Sequence, residues 1–294
     1  MTTVAQPRGG TAPAAALVVV GLVTQEIGAA VAVLVIPSLG ALGIVVLRLV
    51  WSAAILLAVA RPALRGRSLR DWLAVLGFGV ALAAMNATFY EAIGRIPLGA
   101  AVTIELLGPL VLSVVLSRRP LNVLWVIVAF GGVLLLGASE LARLDPLGVL
   151  FAAAAAVFWA GYILGSRTAG RRFEGMQGLA LSTAVAALLT LPLGIAASGA
   201  RLLDIRWLAL GLVVALCSSA IPYAIDLVAL RRLSAATFGI LMSLLPAVAT
   251  LAGVLVLSQP IGPLGVAAIG LVIVASIGSV LTAPREARVA PLPE

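Results

Sequence analysis

The chain alternates long apolar runs with short polar or charged segments from one end to the other. Most runs are close to 20 residues long, the length an α-helix needs to cross about 30 Å of hydrocarbon. Charged residues, prolines and glycines mark where the runs end. The pattern predicts ten membrane-spanning helices, at roughly 13–34, 39–60, 72–93, 97–116, 120–138, 147–167, 177–197, 206–230, 234–256 and 262–282.

Composition excludes a water-soluble protein. Of the 294 residues, 63% are hydrophobic and 10% are charged, and the mean hydropathy is +1.22. A soluble domain carries about a quarter charged residues. We therefore expect an all-α integral membrane protein whose first helix is retained, because the first apolar run is longer than a signal-peptide core and no clear cleavage site follows it.

The arginines predict the orientation of the chain. The net charge of +8 comes from arginines in short clusters between apolar runs, which is a topology signal and not a nucleic-acid-binding surface. With the N-terminus inside, fourteen of the nineteen arginines fall in inside segments and four in outside loops, and Arg48 remains within a helix. Both termini are thus expected to be cytoplasmic, with tails at 1–12 and 283–294, in a bacterial inner membrane.

The two halves of the chain are related in sequence. The stretch AIGRIPLGAAVTIELLGPL from Ala92 aligns with ALRRLSAATFGILMSLLP from Ala229, and the same offset of 137 places Pro109 on Pro246. Five helices per half is an odd number, so the halves enter the membrane in opposite senses. The sequence predicts two inverted five-helix repeats, 14–138 and 147–282, an arrangement from which many secondary transporters build a central site.

Two segments carry a family resemblance: NATFYEAIGRIPLGAAVTIELLGPLVLSVVLSRRP at 86–120 and CSSAIPYAIDLVALRRLSAATFGILMSLLPAVATLAGVLVLSQPIGP at 217–263. They resemble the EamA-domain drug/metabolite transporters, closest to the threonine/homoserine exporter branch. The resemblance spans roughly 14–282 and implies ten helices, two tandem repeats and efflux of amino acids or other small metabolites. Glu91 departs from the branch, where an apolar residue is expected.

A few charged residues remain inside the predicted helices. A charge at the bilayer centre costs roughly 2.5–3.5 kcal/mol on insertion scales, so such residues face the protein interior or a water-filled cavity. Glu26, Arg48, Glu105 and Asp226 are the candidates, and Glu91 sits near a helix end as a gate-rim or snorkelling residue. The alternative for each is a buried pair that only fixes helix packing.

Glu105 ranks first because of the backbone beside it. Pro109 has no N–H, so the carbonyl group of Glu105 loses its helical partner and lies next to the carboxylate of the same residue. Two acceptors suit an ammonium group or a proton, and we expect Gly108 to keep the wall thin enough for a ligand to approach. In the second repeat Pro246 frees a carbonyl without an adjacent charge. Gly108, Pro109 and Pro246 therefore predict helix breaks, although proline kinks also occur as plain structural features.

Arg48 supplies the complementary charge, because its guanidinium group matches a carboxylate with two parallel hydrogen bonds. A zwitterion would then be held between Arg48 and Glu105. Polar-tipped and aromatic residues are expected to form the wall, although tyrosine and tryptophan also mark membrane interfaces. The predicted substrate-binding set is Glu105, Arg48, Asn86, Tyr90, Trp159, Tyr162, Tyr223 and Asp226.

Transport must be driven without nucleotide hydrolysis by this chain, since it has no P-loop. Proton antiport and facilitated exchange remain open, and Glu105, Glu26 and Asp226 are the candidates to hold a coupled proton, because burial favours the protonated form of a carboxyl group. The absence of histidine and the isolation of Cys217 argue against an intramembrane enzyme and against a bound metal or other cofactor.

The predicted function is therefore export of small metabolites, above all amino acids such as threonine and homoserine, by alternating access. A carrier of drugs, organic cations or nucleotide sugars is the alternative within the superfamily. A structural or sensory membrane protein is the alternative outside it. The expected partners are a small-molecule substrate and the lipid bilayer, with no nucleic acid, and homo-oligomer formation stays open.

Overall fold

The computed structural model describes residues 11–117, 120–140, 144–222, 225, 233 and 235–282. Within these ranges the chain is almost entirely helical and contains no strand. The predicted site residues Tyr223 and Asp226 lie outside the described residues, and so do residues 1–10 and 283–294 of the predicted tails.

Short polar segments separate the helices, as the apolar pattern predicts. The first half contains α1 Thr11–Leu39, α2 Ala41–Ala60, α3 Leu69–Ile93, α4 Leu98–Glu105, α5 Leu107–Ser117 and α6 Pro120–Glu140. The second contains α7 Pro146–Gly170, α8 Gln177–Ser198, a 3-10 helix Gly199–Leu203, α9 Ile205–Ala215, a π-helical turn Leu216–Ala220, α10 Ala235–Met242, α11 Leu245–Leu257 and α12 Pro263–Thr282.

The all-α membrane class is confirmed for the described part of the chain. Eight spans there are long and apolar enough to cross a membrane, counting α4 with α5 and α10 with α11 as single spans. Two further apolar helical stretches, 120–135 and 205–220, are shorter. The protein is therefore a multi-pass membrane protein.

Two of the predicted spans are interrupted, each a few residues before a proline that the sequence singles out as a helix break. The predicted helix 97–116 breaks at Leu106, and the helix 234–256 breaks at Ser243 and Leu244. A proline follows each break, Pro109 in α5 and Pro246 in α11. The missing N–H of a proline is tolerated in the first turn of a helix. At both positions one helix therefore ends and the next begins just before the proline.

The helices pack in a pattern that is the same after the two halves are exchanged. Helix α3 packs on α7, and α1 packs on α9 and the π-helical turn. Helix α4 packs on α7, and α11 packs on α1. Three contacts join helices that occupy the same place in the order of each half: α2 with α8, α4 with α11 and α6 with α12. The interface between the halves therefore runs through the whole described bundle.

Glycines allow close approach at several helix crossings. A Cβ atom at Gly79 of α3 would lie 2.6 Å from the side chain of Val185 in α8, and one at Gly132 of α6 would lie 2.8 Å from the carbonyl oxygen of Ala268 in α12. Small residues at such crossings let helix backbones pack closely where lipid provides no hydrophobic driving force between helices.

Polar contacts connect loops that the arginine pattern assigns to the same side. On the predicted inside, Arg172 forms an ion pair with Asp71 at 3.0 Å, and Arg67 donates a hydrogen bond to Gln177 at 2.9 Å. Asp71 also completes a capping box with Ser68 at the start of α3. These contacts bring the α2–α3 and α7–α8 connections together at one end of the bundle.

A second set of contacts joins loops predicted to lie outside. Arg95 pairs with Asp145 at 3.6 Å, and the side-chain oxygen of Gln259 accepts a hydrogen bond from the N–H of Leu98 at 3.0 Å. The connections before α4, α7 and α12 therefore meet at the opposite end. This grouping agrees with the alternation of the chain between two sides.

Candidate substrate cavity

A cavity of about 200 Å³ lies where the two halves meet. Residues from α1, α2, α3, α4, α7, α10, α11 and the π-helical turn surround it. Its wall consists of Gln25, Glu26, Ala29, Arg48, Met85, Asn86, Phe89, Tyr90, Val102, Glu105, Trp159, Tyr162, Ser218, Met242 and Leu245.

The cavity gathers residues that are far apart in the chain and that the sequence predicts to share a site. Six members of the predicted substrate-binding set line it, namely Arg48, Asn86, Tyr90, Glu105, Trp159 and Tyr162. Glu26, predicted only as a proton carrier, lines it as well. Sequence reasoning missed Gln25, Met85 and Phe89. Gln25 carried a usable signal, since it is an amide beside a carboxyl group within an apolar helix.

Two neutral acceptors hold the guanidinium group of Arg48. Its Nη1 donates a hydrogen bond to Oδ1 of Asn86, and its Nη2 donates one to the carbonyl oxygen of Ser218 at 3.1 Å. The group also lies over the ring of Tyr90, with Cζ 5.4 Å from the ring centroid. Arg48 has no ion-pair partner among the described residues, although two carboxyl groups, Glu26 and Glu105, line the same cavity.

The carbonyl group of Ser218 is available because of Pro222. A proline four residues later has no N–H to donate, so this carbonyl cannot take part in the usual helical hydrogen bond. Ser218 also lies in the π-helical turn, where the N–H of Ile221 bonds to the carbonyl oxygen of Leu216. Such turns interrupt helices at functional sites in many proteins. Here the interruption provides an acceptor for Arg48.

Asn86 uses both ends of its amide group within the protein. Its Nδ2 donates to the carbonyl oxygen of Leu82 at 2.8 Å, while its Oδ1 accepts from Arg48. The side chain is 4% exposed. Its contacts therefore place Asn86 as a positioning residue for Arg48, in addition to its place in the cavity wall.

Two carboxyl groups line the same cavity without an ion-pair partner among the described residues. Glu26 is 2% exposed, and its Oε2 is buried without a hydrogen-bond partner, whereas its Oε1 is 3.5 Å from Nε2 of Gln25. Glu105, the last residue of α4, is 8% exposed and forms no hydrogen bond or ion pair within the described part of the chain. The described ion pairs all lie at helix ends.

Aromatic residues form much of the remaining wall. Tyr90 is 1% exposed and is fully enclosed between Arg48 and its neighbours. The ring of Tyr162 meets that of Phe78 edge to face, with centroids 5.1 Å apart. Trp159 precedes Tyr162 by about one helical turn and lines the same side. We interpret these residues as cavity wall and not as membrane-interface anchors.

Gly108 has a different role from the expected one. A Cβ atom at this position would collide with the backbone carbonyl group of Ala156 in α7, and Gly108 does not line the cavity. The glycine therefore permits close contact between α5 and α7 and does not thin the wall for a ligand. Glu91 does not line the cavity either. It forms an ion pair with Arg95 at 3.1 Å near the end of α3.

We expect Gly108→Ala to destabilise the protein, because the added methyl group must displace the α7 backbone. Overpacking of this kind costs about 1–3 kcal/mol. Gly131→Ala in α6 is the matched control, since no atom lies within 4 Å of a Cβ atom built there. The two variants are compared by thermal unfolding in detergent. Equal unfolding temperatures would show that α5 and α7 do not depend on this contact.

Similar proteins place the chain in a family. Residues 146–281 match the EamA-like transporter family. The threonine/homoserine exporter RhtA of Escherichia coli is 36% identical over 275 residues, which are 93% of this chain and 93% of that protein. The exporter of the same name from Salmonella typhimurium is 35% identical over the same proportions. A crystal structure of another protein, 20% identical, has a TM-score of 0.59 and covers 93% of this chain and 99% of that one. This chain belongs to the EamA-like transporter family.

Proposed function

We propose that the protein exports small zwitterionic amino acids, such as threonine and homoserine, across a bacterial inner membrane. One observation carries the proposal: Arg48, Glu105 and Glu26 line a single cavity, yet none has an ion-pair partner among the described residues. Unpaired buried charges are costly, so the site is built for a ligand that supplies the missing charges. The names of the RhtA relatives support the same class of substrate.

A zwitterionic amino acid fits these charges. Its carboxylate binds the guanidinium group of Arg48, which Asn86 and Ser218 hold in place, and its ammonium group binds the carboxylate of Glu105. Both interactions gain strength in a cavity of low polarity. Tyr90, Trp159 and Tyr162 then enclose the remainder of the ligand.

The cavity volume favours a small substrate. Drug-sized ligands occupy sites of roughly 300–1,000 Å³, whereas this cavity measures about 200 Å³. An organic cation also has no group that would bind Arg48, and a nucleotide sugar is larger than the cavity. The carrier of drugs or nucleotide sugars is therefore the weaker alternative. A structural or sensory role would leave the unpaired charges without a purpose.

We further propose ten transmembrane helices in two inverted five-helix repeats, 14–138 and 147–282, that rock against each other around this cavity. Three features support the proposal: the two short spans add to the eight longer ones, the packing pattern is unchanged when the halves are exchanged, and the helix breaks at Leu106 and Ser243 are 137 positions apart. Glu105 and Met242, separated by the same offset, both line the cavity.

Coupling to protons is part of the proposal. Glu105 is our first candidate, because a carboxyl group that binds the substrate ammonium can also bind a proton, and the two would then compete for one site. Asp226, outside the described residues, and Glu26 are the other candidates. Facilitated exchange without a coupled ion remains the alternative drive.

Flux measurements test the function. Inverted membrane vesicles from cells that express the protein should accumulate radiolabelled threonine and homoserine, and vesicles without it should not. Organic cations and nucleotide sugars serve as competing substrates in the same assay. Transport of these compounds in place of amino acids would favour the alternative carrier, and absence of any flux would favour a structural or sensory role.

The proposed orientation predicts the result of reporter fusions. Fusions at Arg67, at Arg172 and at the C-terminus should all report the cytoplasm, because the inside segments hold most of the arginines. A fusion at Arg95 should report the periplasm and is the matched control. A periplasmic signal at the C-terminus would contradict the ten-helix arrangement.

A further inference from the structure

We propose that Gln25 and Glu26 form a specificity site that recognises the side-chain hydroxyl group of the substrate. This inference rests on the proposed function and adds a third point of attachment to the two that bind the amino acid backbone.

Gln25 and Glu26 are not needed to bind the carboxylate and ammonium groups of the substrate. An amino acid zwitterion has one carboxylate and one ammonium group, and Arg48 on α2 and Glu105 on α4 satisfy them. Glu26 lies on a third helix, α1, and faces the same cavity. No charged group of the substrate remains for it, so its partner must be a neutral polar group or a proton.

The geometry of the pair suits a hydroxyl group. Oε2 of Glu26 is buried and has no hydrogen-bond partner, and Gln25 approaches Oε1 of Glu26 at 3.5 Å with one of its two N–H groups. Gln25 thus keeps a second N–H and an amide oxygen for other partners. A hydroxyl group both donates and accepts, so it can bond to the free carboxyl oxygen and to the amide. A carboxyl oxygen accepts such a bond whether Glu26 is ionised or protonated.

The surroundings of the pair identify which charged or titratable groups act on it. Arg48 from α2, Tyr90 from α3 and Glu105 from α4 face Glu26 across the cavity, and Asp226 lies outside the described residues. Apolar residues, including Ala29, Val102 and Leu245, line the same cavity. The pair therefore adds a polar contact on α1 to those that Arg48 and Glu105 provide on α2 and α4.

The consequence is discrimination against substrates that lack the hydroxyl group. A site built to bond a hydroxyl group rejects the deoxy analogue, because its own buried polar groups are then left without partners. The compound 2-aminobutyrate is the deoxy analogue of both threonine and homoserine. We expect wild-type protein to require about tenfold more 2-aminobutyrate than threonine for half-saturation, the loss of roughly one hydrogen bond with a buried partner.

The experiment compares half-saturation concentrations of threonine, homoserine and 2-aminobutyrate for flux into inverted vesicles. In Gln25→Leu the ratio of 2-aminobutyrate to threonine should fall by about threefold, because the hydroxylated substrates lose one of their two partners. Thr24→Val is the matched control, since Thr24 is the adjacent residue and its hydroxyl group donates to the carbonyl oxygen of Val20 in its own helix. Its ratio should equal that of wild type.

Glu26→Gln provides the second variant and separates the hydroxyl role from a proton role. The amide keeps the shape and an oxygen acceptor, so the ratio should stay well above one and the response of flux to a pH gradient should persist. Loss of the pH response with an unchanged ratio would assign Glu26 to proton coupling and overturn the proposal. An unchanged ratio in Gln25→Leu would overturn it too. Wild-type protein that transports no amino acid would instead contradict the proposed function itself.

Discussion

Replacing Glu105 by glutamine should reduce amino acid flux about 30-fold or more while the protein remains in the membrane at a near-normal level. The amide keeps the size of the side chain and can still form hydrogen bonds, but it cannot balance an ammonium group. Removing one partner of a buried charge pair costs about 2–5 kcal/mol, and 2 kcal/mol corresponds to a factor of about 30. The position of Glu105 at the end of α4 makes the effect local, since its carboxyl group bonds to no described residue.

The same variant separates binding from coupling. If the carboxylate couples protons, exchange of substrate for substrate should persist and the response to a pH gradient should disappear. If it only binds the ammonium group, exchange and net flux should fall together. Expression and thermal stability must be measured beside flux, because Arg48 lies at the same cavity and loses a compensating charge.

Glu91→Gln is the matched control for Glu105→Gln. Glu91 is also a carboxyl residue of a membrane helix, but it pairs with Arg95 near the helix end and does not line the cavity. Partly exposed pairs of this kind contribute about 0–1 kcal/mol, so flux should change little. If Glu105→Gln transports at the wild-type rate with unchanged pH dependence, Glu105 has no role in the site. The proposed binding mode is then wrong, and only the proposed fold remains.

Replacing Arg48 by glutamine should have the second largest effect. Transport of threonine should weaken at least about tenfold more than transport of threonine amide, because only threonine has a carboxylate that bonds to the guanidinium group, and hydrogen bonds to charged groups contribute about 1.5–3 kcal/mol. Arg48→Lys keeps the charge but cannot reach Asn86 and the Ser218 carbonyl group with one planar fork, so it should restore only part of the transport.

Equal loss for threonine and its amide would give Arg48 a packing role. That outcome is physically reasonable, because Arg48 joins α3 to the π-helical turn through Asn86 and Ser218. Arg206→Gln is the control, since this exposed arginine lies at the start of α9 away from the cavity. Thermal unfolding of both variants shows whether the lost contacts weaken the bundle.

Much of the candidate site could be predicted from residue types alone. A charged residue in an apolar helix is rare because of its insertion cost, and this made Glu26, Arg48 and Glu105 visible without any structure. Gln25 was missed because a neutral amide costs less and occurs at many positions that have no function. The role expected for Gly108 was wrong because a glycine in a sequence does not reveal which neighbour approaches it, and here the neighbour is the backbone of α7.

The sequence by itself determined the membrane class and the approximate positions of the described helices, and it predicts a relation between the halves. These properties depend on local composition: the length of an apolar run sets whether it can cross the bilayer, and an offset of 137 between two prolines can be read directly. Only the tertiary structure decided that α1, α2, α3, α4 and α7 bring their polar side chains to one cavity, and that Arg48 bonds to Asn86 and Ser218. Those contacts join residues up to 170 positions apart, and helix packing, which depends on the shapes of both partners, brings them together.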